Sequence, residues 1–256
     1  MDFNTTQVDN YSNQIRYKII NSKIIDYPFP HSETNNILSN QLLDEIEKNF
    51  PDKNDFISST QGKTVTVKKT FNNKHPYDFR NQIFLTKKDE ISRIKGIKLN
   101  FWKFFTKIIT SPLVIGSLLT LYNKYLLKRF GDSMKDMVFY PNLMLIHDKA
   151  NYALGPHTDI SNKVIVILIY LESDNETNST DSYGTSIYIP KEIGFTCEGD
   201  KHHKHKDFFK IYTSSFKKNN SFSFFRTNNS FHGVETISDK PIERKLLQYS
   251  IMAQQK

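Results

Sequence analysis

The chain has one cysteine, Cys197, in 256 residues. An intrachain disulfide is impossible, and zinc knuckles or cysteine ladders are excluded. A reducing cytosol is the compartment this suits. Long apolar runs are missing too: "SPLVIGSLLTLY" and "VIVILIYL" fall short of the roughly 20 residues that span a bilayer. The first residues, "MDFNTTQVDNYSNQ", are polar, with neither the basic start nor the apolar stretch of a secretory signal. The expectation is a soluble, cytoplasmic protein with no membrane partner.

Charge is present but spread out. Lys and Arg number 35 against 27 Asp and Glu, a formal charge of +8. A mildly basic surface suits an anionic substrate. Nucleic acid is not the expected partner, because the basic residues are dispersed and no nucleic-acid motif occurs in its context. Oligomeric state is not legible.

The texture of the chain changes near residue 131. Before it, residues 1–25 read as polar and partly extended, with "YKIINSKIIDY" as a first strand. "SNQLLDEIEKNFP" places Leu42, Leu43, Ile46 and Phe50 near helical spacing behind a Ser39 or Asn40 cap. Residues 55–85 read as irregular with short strands. From 88 to 130, "GIKLNFWKFFTKIIT" and "SPLVIGSLLTLYNKYLLKRF" read as two helices, the second capped by Ser111, opened by Pro112 and closed by Gly131. Their apolar stripes read as packing faces.

After Gly131 come short segments rich in β-branched and aromatic residues: "MVFYPNLMLIHD", "KVIVILIYL", "TSIYIPK", "DFFKIYTSSF", "NSFSFFR", "SFHGVETI" and "RKLLQYSIMA". Turn residues separate them, without room for crossover helices, which predicts antiparallel sheets in a sandwich or barrel. The expected fold is mainly β with N-terminal helices (α+β). Its organisation is a single domain over 1–256, with 1–135 supporting a β core at 136–256.

"GPHTDISNKVIVILIYL" holds the chemistry. His157 and Asp159, at i and i+2, project to one side of an extended segment and can take adjacent positions on one metal ion. His232, in "SFHGVETI", offers a third donor from a separate strand. Two histidines and one carboxylate on one face form the facial triad of non-haem Fe(II) oxygenases. The intervening stretch accommodates about five short strands at ~8–12-residue spacing. Arg244, in "PIERKLLQYSI", presents a guanidinium fork suited to the distal carboxylate of a dicarboxylic co-substrate. Lys245, of opposite strand parity, competes for that role, and Gln248 or Ser250 share the parity of Arg244.

These motifs, "GPHTD", "GTSIYIPK", "SFHGVETI" and Arg244 downstream, resemble the 2-oxoglutarate/Fe(II)-dependent oxygenase superfamily, in the group that includes prolyl hydroxylases. The likeness runs from about Tyr27 onward. It implies a double-stranded β-helix core (jelly-roll/cupin-like), with His157, Asp159 and His232 as Fe(II) ligands and Arg244 on the C5 carboxylate of 2-oxoglutarate. Tyr140, Asn142 and Tyr152 are the candidates for a further contact to that co-substrate. The implied reaction uses O2 and hydroxylates a small molecule or a peptidyl side chain, releasing succinate and CO2. A non-catalytic cupin-like binding module is the alternative.

Two polar insertions interrupt the strands: "ESDNETNSTDSYG" and "CEGDKHHKHKD". His202, His203 and His205 in the second read as an incidental metal-binding surface on a mobile loop, or else as a lid. His147 is a candidate neighbour of the site. His31 and His75 carry no assignment.

Overall fold

The structure is a computed structural model that describes residues 4–59, 76–172, 183–199, 201–235 and 243–256. The expectations placed on residues 60–75 (His75 among them) and on most of the "ESDNETNSTDSYG" insertion lie outside them.

Six α-helices are described: α1 (Thr5–Ile20), α2 (Asn40–Lys48), α3 (Lys88–Ile91), α4 (Gly96–Ile109), α5 (Pro112–Leu121) and α6 (Asn123–Phe130). The N-terminal segment is thus a helix, not a strand. Asn4 and Gln7 close a reciprocal capping box, and Val8, Tyr11, Ile15 and Ile19 recur at helical intervals toward the core. Ser39 caps α2 and Ser111 caps α5, each accepting a backbone N–H three residues on. The predicted helix from 112 to 130 divides at Tyr122. Its ring is fully buried and its hydroxyl meets Ser223 Oγ at 2.8 Å, so the chain turns there to seat it. Gly131, at φ +50, ends α6. Among the described residues no single helix is long and apolar enough to cross a membrane.

The strands are β1 (His31–Thr34), β2 (Ile57–Ser58), β3 (Arg80–Phe84), β4 (Met137–Asp148), β5 (Leu154–His157), β6 (Lys163–Tyr170), β7 (Ser186–Pro190), β8 (Phe208–Thr213), β9 (Ser221–Phe225), β10 (His232–Val234) and β11 (Arg244–Gln255). They form two antiparallel sheets. The larger runs β1-β9-β6-β11-β4-β3-β2, the smaller β5-β10-β7-β8.

The uninterrupted apolar run of β6 is explained by burial on both faces. Val166, Leu168 and Tyr170 join Phe222, Phe224, Ile146 and Leu246 in the core between the sheets. Ile165, Ile167 and Ile169 join Leu143, Leu145, Leu247 and Ile251 under the helices, with Phe101, Trp102 and Phe105 of α4. Each fully buried side chain of this kind contributes about 1.5–3 kcal/mol. The helices therefore brace the outer face of the large sheet, and its inner face is left to form a cavity with the small one. The architecture is the expected mixed one, helices followed by a jelly-roll-like core.

Candidate metal centre and anion pocket

The cavity between the sheets has a volume of about 230 Å3. His157, Asp159 and His232 line it, together with Arg80, Asn142, Lys163, His202, Arg244 and Gln248. Val166, Leu168, Phe224 and Leu246 supply apolar wall.

The two histidines are cross-strand partners on β5 and β10. Their ring centroids lie 4.3 Å apart, and Phe224 packs on His232 at 4.5 Å. His157 Nδ1 is 3.0 Å from Gly155 O, and His232 Nδ1 is 2.9 Å from Ser230 O. A carbonyl only accepts, so each Nδ1 carries the proton and each Nε2 keeps its lone pair for a ligand. Burial, then the neighbouring rings of His232 and His202, hold His157 well below the usual histidine range against the pull of Asp159. Burial likewise lowers His232, with Asp159 opposing it. Both imidazoles are neutral near pH 7, as metal ligation requires.

Asp159 follows β5 in the turn toward β6. Burial alone would raise its carboxyl, but the opposing charges, the Lys163 ammonium foremost, outweigh burial and hold it well below the usual carboxylate range. Lys163 Nζ donates to Oδ1 at 2.6 Å. Oδ2 is buried without a hydrogen-bond partner and lies 3.7 Å from His232 Nε2. Donor atoms of all three residues fall within 4.8 Å of one another. An unpartnered carboxylate oxygen beside two free imidazole nitrogens fits a divalent cation held by a facial two-histidine, one-carboxylate set. Among the described residues this is the only such group.

Arg244 is 1 % exposed and stands at the start of β11. The register puts Arg80 of β3, Asp148 of β4 and Arg244 in one row across three strands. Arg80 Nε and Nη2 donate to the fully buried Asp148 at 2.6 and 2.8 Å, and Arg244 Nη1 donates to Asp148 Oδ2 at 3.2 Å. Arg244 Nε is buried without a partner. Such a group lacks a hydrogen-bond acceptor, and an anion entering the cavity would supply one. Lys245 does not compete: its opposite parity sends it to Glu172, at 3.1 Å.

Of the further candidates, Asn142 lines the cavity. Tyr140, Tyr152 and Ser250 are not on its wall. Tyr140 lies two residues back toward the start of β4, half-buried. Tyr152 is fully buried beneath the Arg80 guanidinium, 4.3 Å from ring centre to Cζ. Ser250 pairs with Asn142 and Val166 across the sheet but is itself enclosed. His147 leaves β4 on the face opposite Asp148. It meets Glu243 at 2.9 Å and the ring of Phe56, away from the triad.

The histidine-rich segment is packed, contrary to the expectation of a mobile loop. His203 N–H donates to Pro156 O at 2.8 Å, and the His203 ring sits among Phe195, Phe208 and Phe231. Thr158 Oγ1 donates to Cys197 O at 2.8 Å. His202 thereby stacks on His157 at 4.4 Å, interplanar angle 21°. Sequence reasoning assigned no site role to Lys163, Arg80 or Asp148. For Lys163 a signal existed, its i+4 position from Asp159; the other two depend on register alone.

No protein-family model matches the chain, and no curated protein sequence matches it significantly. Solved structures do match in fold. A prolyl hydroxylase from Trichoplax adhaerens, in complex with a hypoxia-inducible-factor oxygen-degradation-domain peptide fragment, superimposes with a TM-score of 0.50 at 11% identity, covering 98% of this chain and 93% of that one. The epimerase SnoN, in complex with Fe3+, alpha-ketoglutarate and nogalamycin RO, gives 0.50 at 8% identity, covering 99% and 87%. The likeness is one of fold: the chain shares its architecture with a prolyl hydroxylase and with an epimerase solved with Fe3+ and alpha-ketoglutarate.

Proposed function

We propose that the protein is an Fe(II)- and 2-oxoglutarate-dependent oxygenase that hydroxylates an amino-acid-like small molecule or a peptidyl side chain. The observation that carries this reading is one cavity containing both an unpartnered Asp159 oxygen beside two free imidazole nitrogens and a buried, incompletely paired Arg244. A metal triad alone suits many chemistries. A metal triad with a guanidinium suits a chelating acid with a second carboxylate.

In this reading His157, Asp159 and His232 hold the iron, with the Gly155 and Ser230 carbonyls fixing the tautomer of each histidine. Arg244, steadied by Asp148, takes the far carboxylate of 2-oxoglutarate, and Asn142 and Gln248 lie within the same wall. When bound, iron and the keto acid would supply O2 activation coupled to decarboxylation, with succinate and CO2 as products. Phe224, Val166, Leu168 and Leu246 exclude water and keep the charge contacts strong. Both substrate classes have counterparts among the neighbours, one crystallised with a peptide and one with a small molecule.

The test is succinate release in the presence of Fe(II), ascorbate and 2-oxoglutarate, screened over amino acids, peptides and metabolites. Turnover that disappears in Asp159→Ala supports the reading. Asp159→Ala is expected to remove most iron binding, whereas Arg244→Gln keeps iron and loses about tenfold or more in 2-oxoglutarate affinity, the scale of a charge-assisted contact. Iron binding without succinate release under any substrate would favour a binding module.

A further inference from the structure

The turn that carries Asp159 is clamped at both ends. Lys163 N–H donates to Ile160 O at 3.1 Å, closing the turn into β6. Arg226, 5 % exposed, donates Nε to Asp159 O at 2.9 Å. Arg129 of α6 donates Nη1 to Lys163 O at 2.9 Å and to Arg226 O at 3.3 Å, and Nη2 to Ser161 O. With the backbone so fixed, the two end side chains meet. Lys163 Nζ lies 2.6 Å from Asp159 Oδ1, at 14% and 10% side-chain exposure, and Lys163 also faces the cavity.

This contact divides the carboxylate. An ionised Asp has two oxygens able to accept, and both can turn to one cation. Here one oxygen is taken by an ammonium and the other is left facing His232. We propose that Lys163 is a positioning residue of the metal site: by occupying Oδ1 it restricts Asp159 to a single ligating oxygen, and its charge weakens the hold on a divalent cation until an anionic co-ligand arrives. The inference rests on the metal-site reading above.

The charge arithmetic gives the direction. A dication on two neutral imidazoles and one carboxylate carries a net +1, and Lys163 raises the local sum to +2. The metal-side carboxylate of a keto diacid brings it to +1, the far carboxylate being matched by Arg244. Metal and keto acid therefore favour each other, and by linkage each tightens the other equally. Without Lys163 the sum for metal alone is lower, so metal binds more tightly on its own and gains less from the acid.

The test uses the full chain, titrated with Co(II) and followed by visible absorption, without and then with 2-oxoglutarate. Lys163→Met is expected to bind Co(II) about tenfold more tightly than wild type, the scale at which contacts behind a ligand act on metal sites. It should also show a changed band shape, since Asp159 could then offer both oxygens, and a smaller gain on adding 2-oxoglutarate. Lys163→Arg, keeping the charge, should match wild type. Should Lys163→Met fail to fold, Lys163→Gln is expected to be tighter than wild type by a smaller factor. Co(II) affinity in the Met or Gln variant equal to or below wild type overturns the proposal, since a merely structural lysine would leave it unchanged or weaken it. A wild-type protein with no His232-dependent Co(II) spectrum overturns the metal-site reading itself, and the Lys163 proposal with it.

Discussion

At the scale of single residues, the buried charges are the most exposed to test. Asp148 is shared by the buried guanidinium of Arg244 and the partly buried one of Arg80. Asp148→Ala takes away the carboxylate that the buried Arg244 guanidinium meets, so a loss of about 3–5 kcal/mol is expected in urea unfolding. Tyr249 presents the opposite case. Its hydroxyl is buried without a partner, and burial pushes its ionisation well above the usual tyrosine range. Tyr249→Phe removes that burden and is expected to raise stability by up to about 1 kcal/mol. Arg244 was named from the fit of a guanidinium to a carboxylate and from the family resemblance, while parity alone left Lys245 open until the register gave each its neighbours. Arg80 and Asp148 were not legible, because only the register of β3, β4 and β11 brings them into the row of Arg244. His202 was read as part of an incidental metal-binding surface or a lid, and its stacking on His157 depends on how the insertion folds back.

Among the elements, the stretch around His203 lies against β5 because the partner surface has no side chain at Gly155. A Cβ there would run into the His203 carbonyl. Gly155→Ala is expected to cost about 1–3 kcal/mol in thermal or chemical unfolding, as overpacking does, and to raise proteolysis within the insertion. The strands were readable where period and length agree, as in β4, β6, β9 and β11. Helix α1 was misread because Asn and Ile suit extended and helical chain alike when only the local polarity is weighed. Its spacing of Val8, Tyr11, Ile15 and Ile19 was the signal to follow. The break between α5 and α6 has no Gly or Pro to announce it. It follows from the burial of Tyr122 against β9, a long-range demand that no local pattern carries.

For the whole molecule, the two-sheet core was legible because seven apolar segments without intervening helices leave few antiparallel solutions, and the cavity then follows from the sheets' separate inner faces. The same burial predicts how the molecule responds to base. Tyr122 and Tyr249 are both held un-ionised in the folded state, chiefly by burial. Their folded ionisation is raised above the unfolded value of ~10. Below that pH neither state ionises and stability is whole; as pH rises past ~10 the unfolded chain ionises first and stability falls. Unfolding midpoints measured from pH 8 to 11 should decline above 10, with a shallower slope for Tyr122→Phe.

The central claim is that one cavity holds iron on His157, Asp159 and His232 and a keto diacid near Arg244. Anaerobic addition of Fe(II) and 2-oxoglutarate, followed by visible absorption, tests it most directly. The account predicts a weak charge-transfer band in the wild type that requires both additions and is lost in His232→Ala. No band in the wild type, or an undiminished band in the variant, would contradict it.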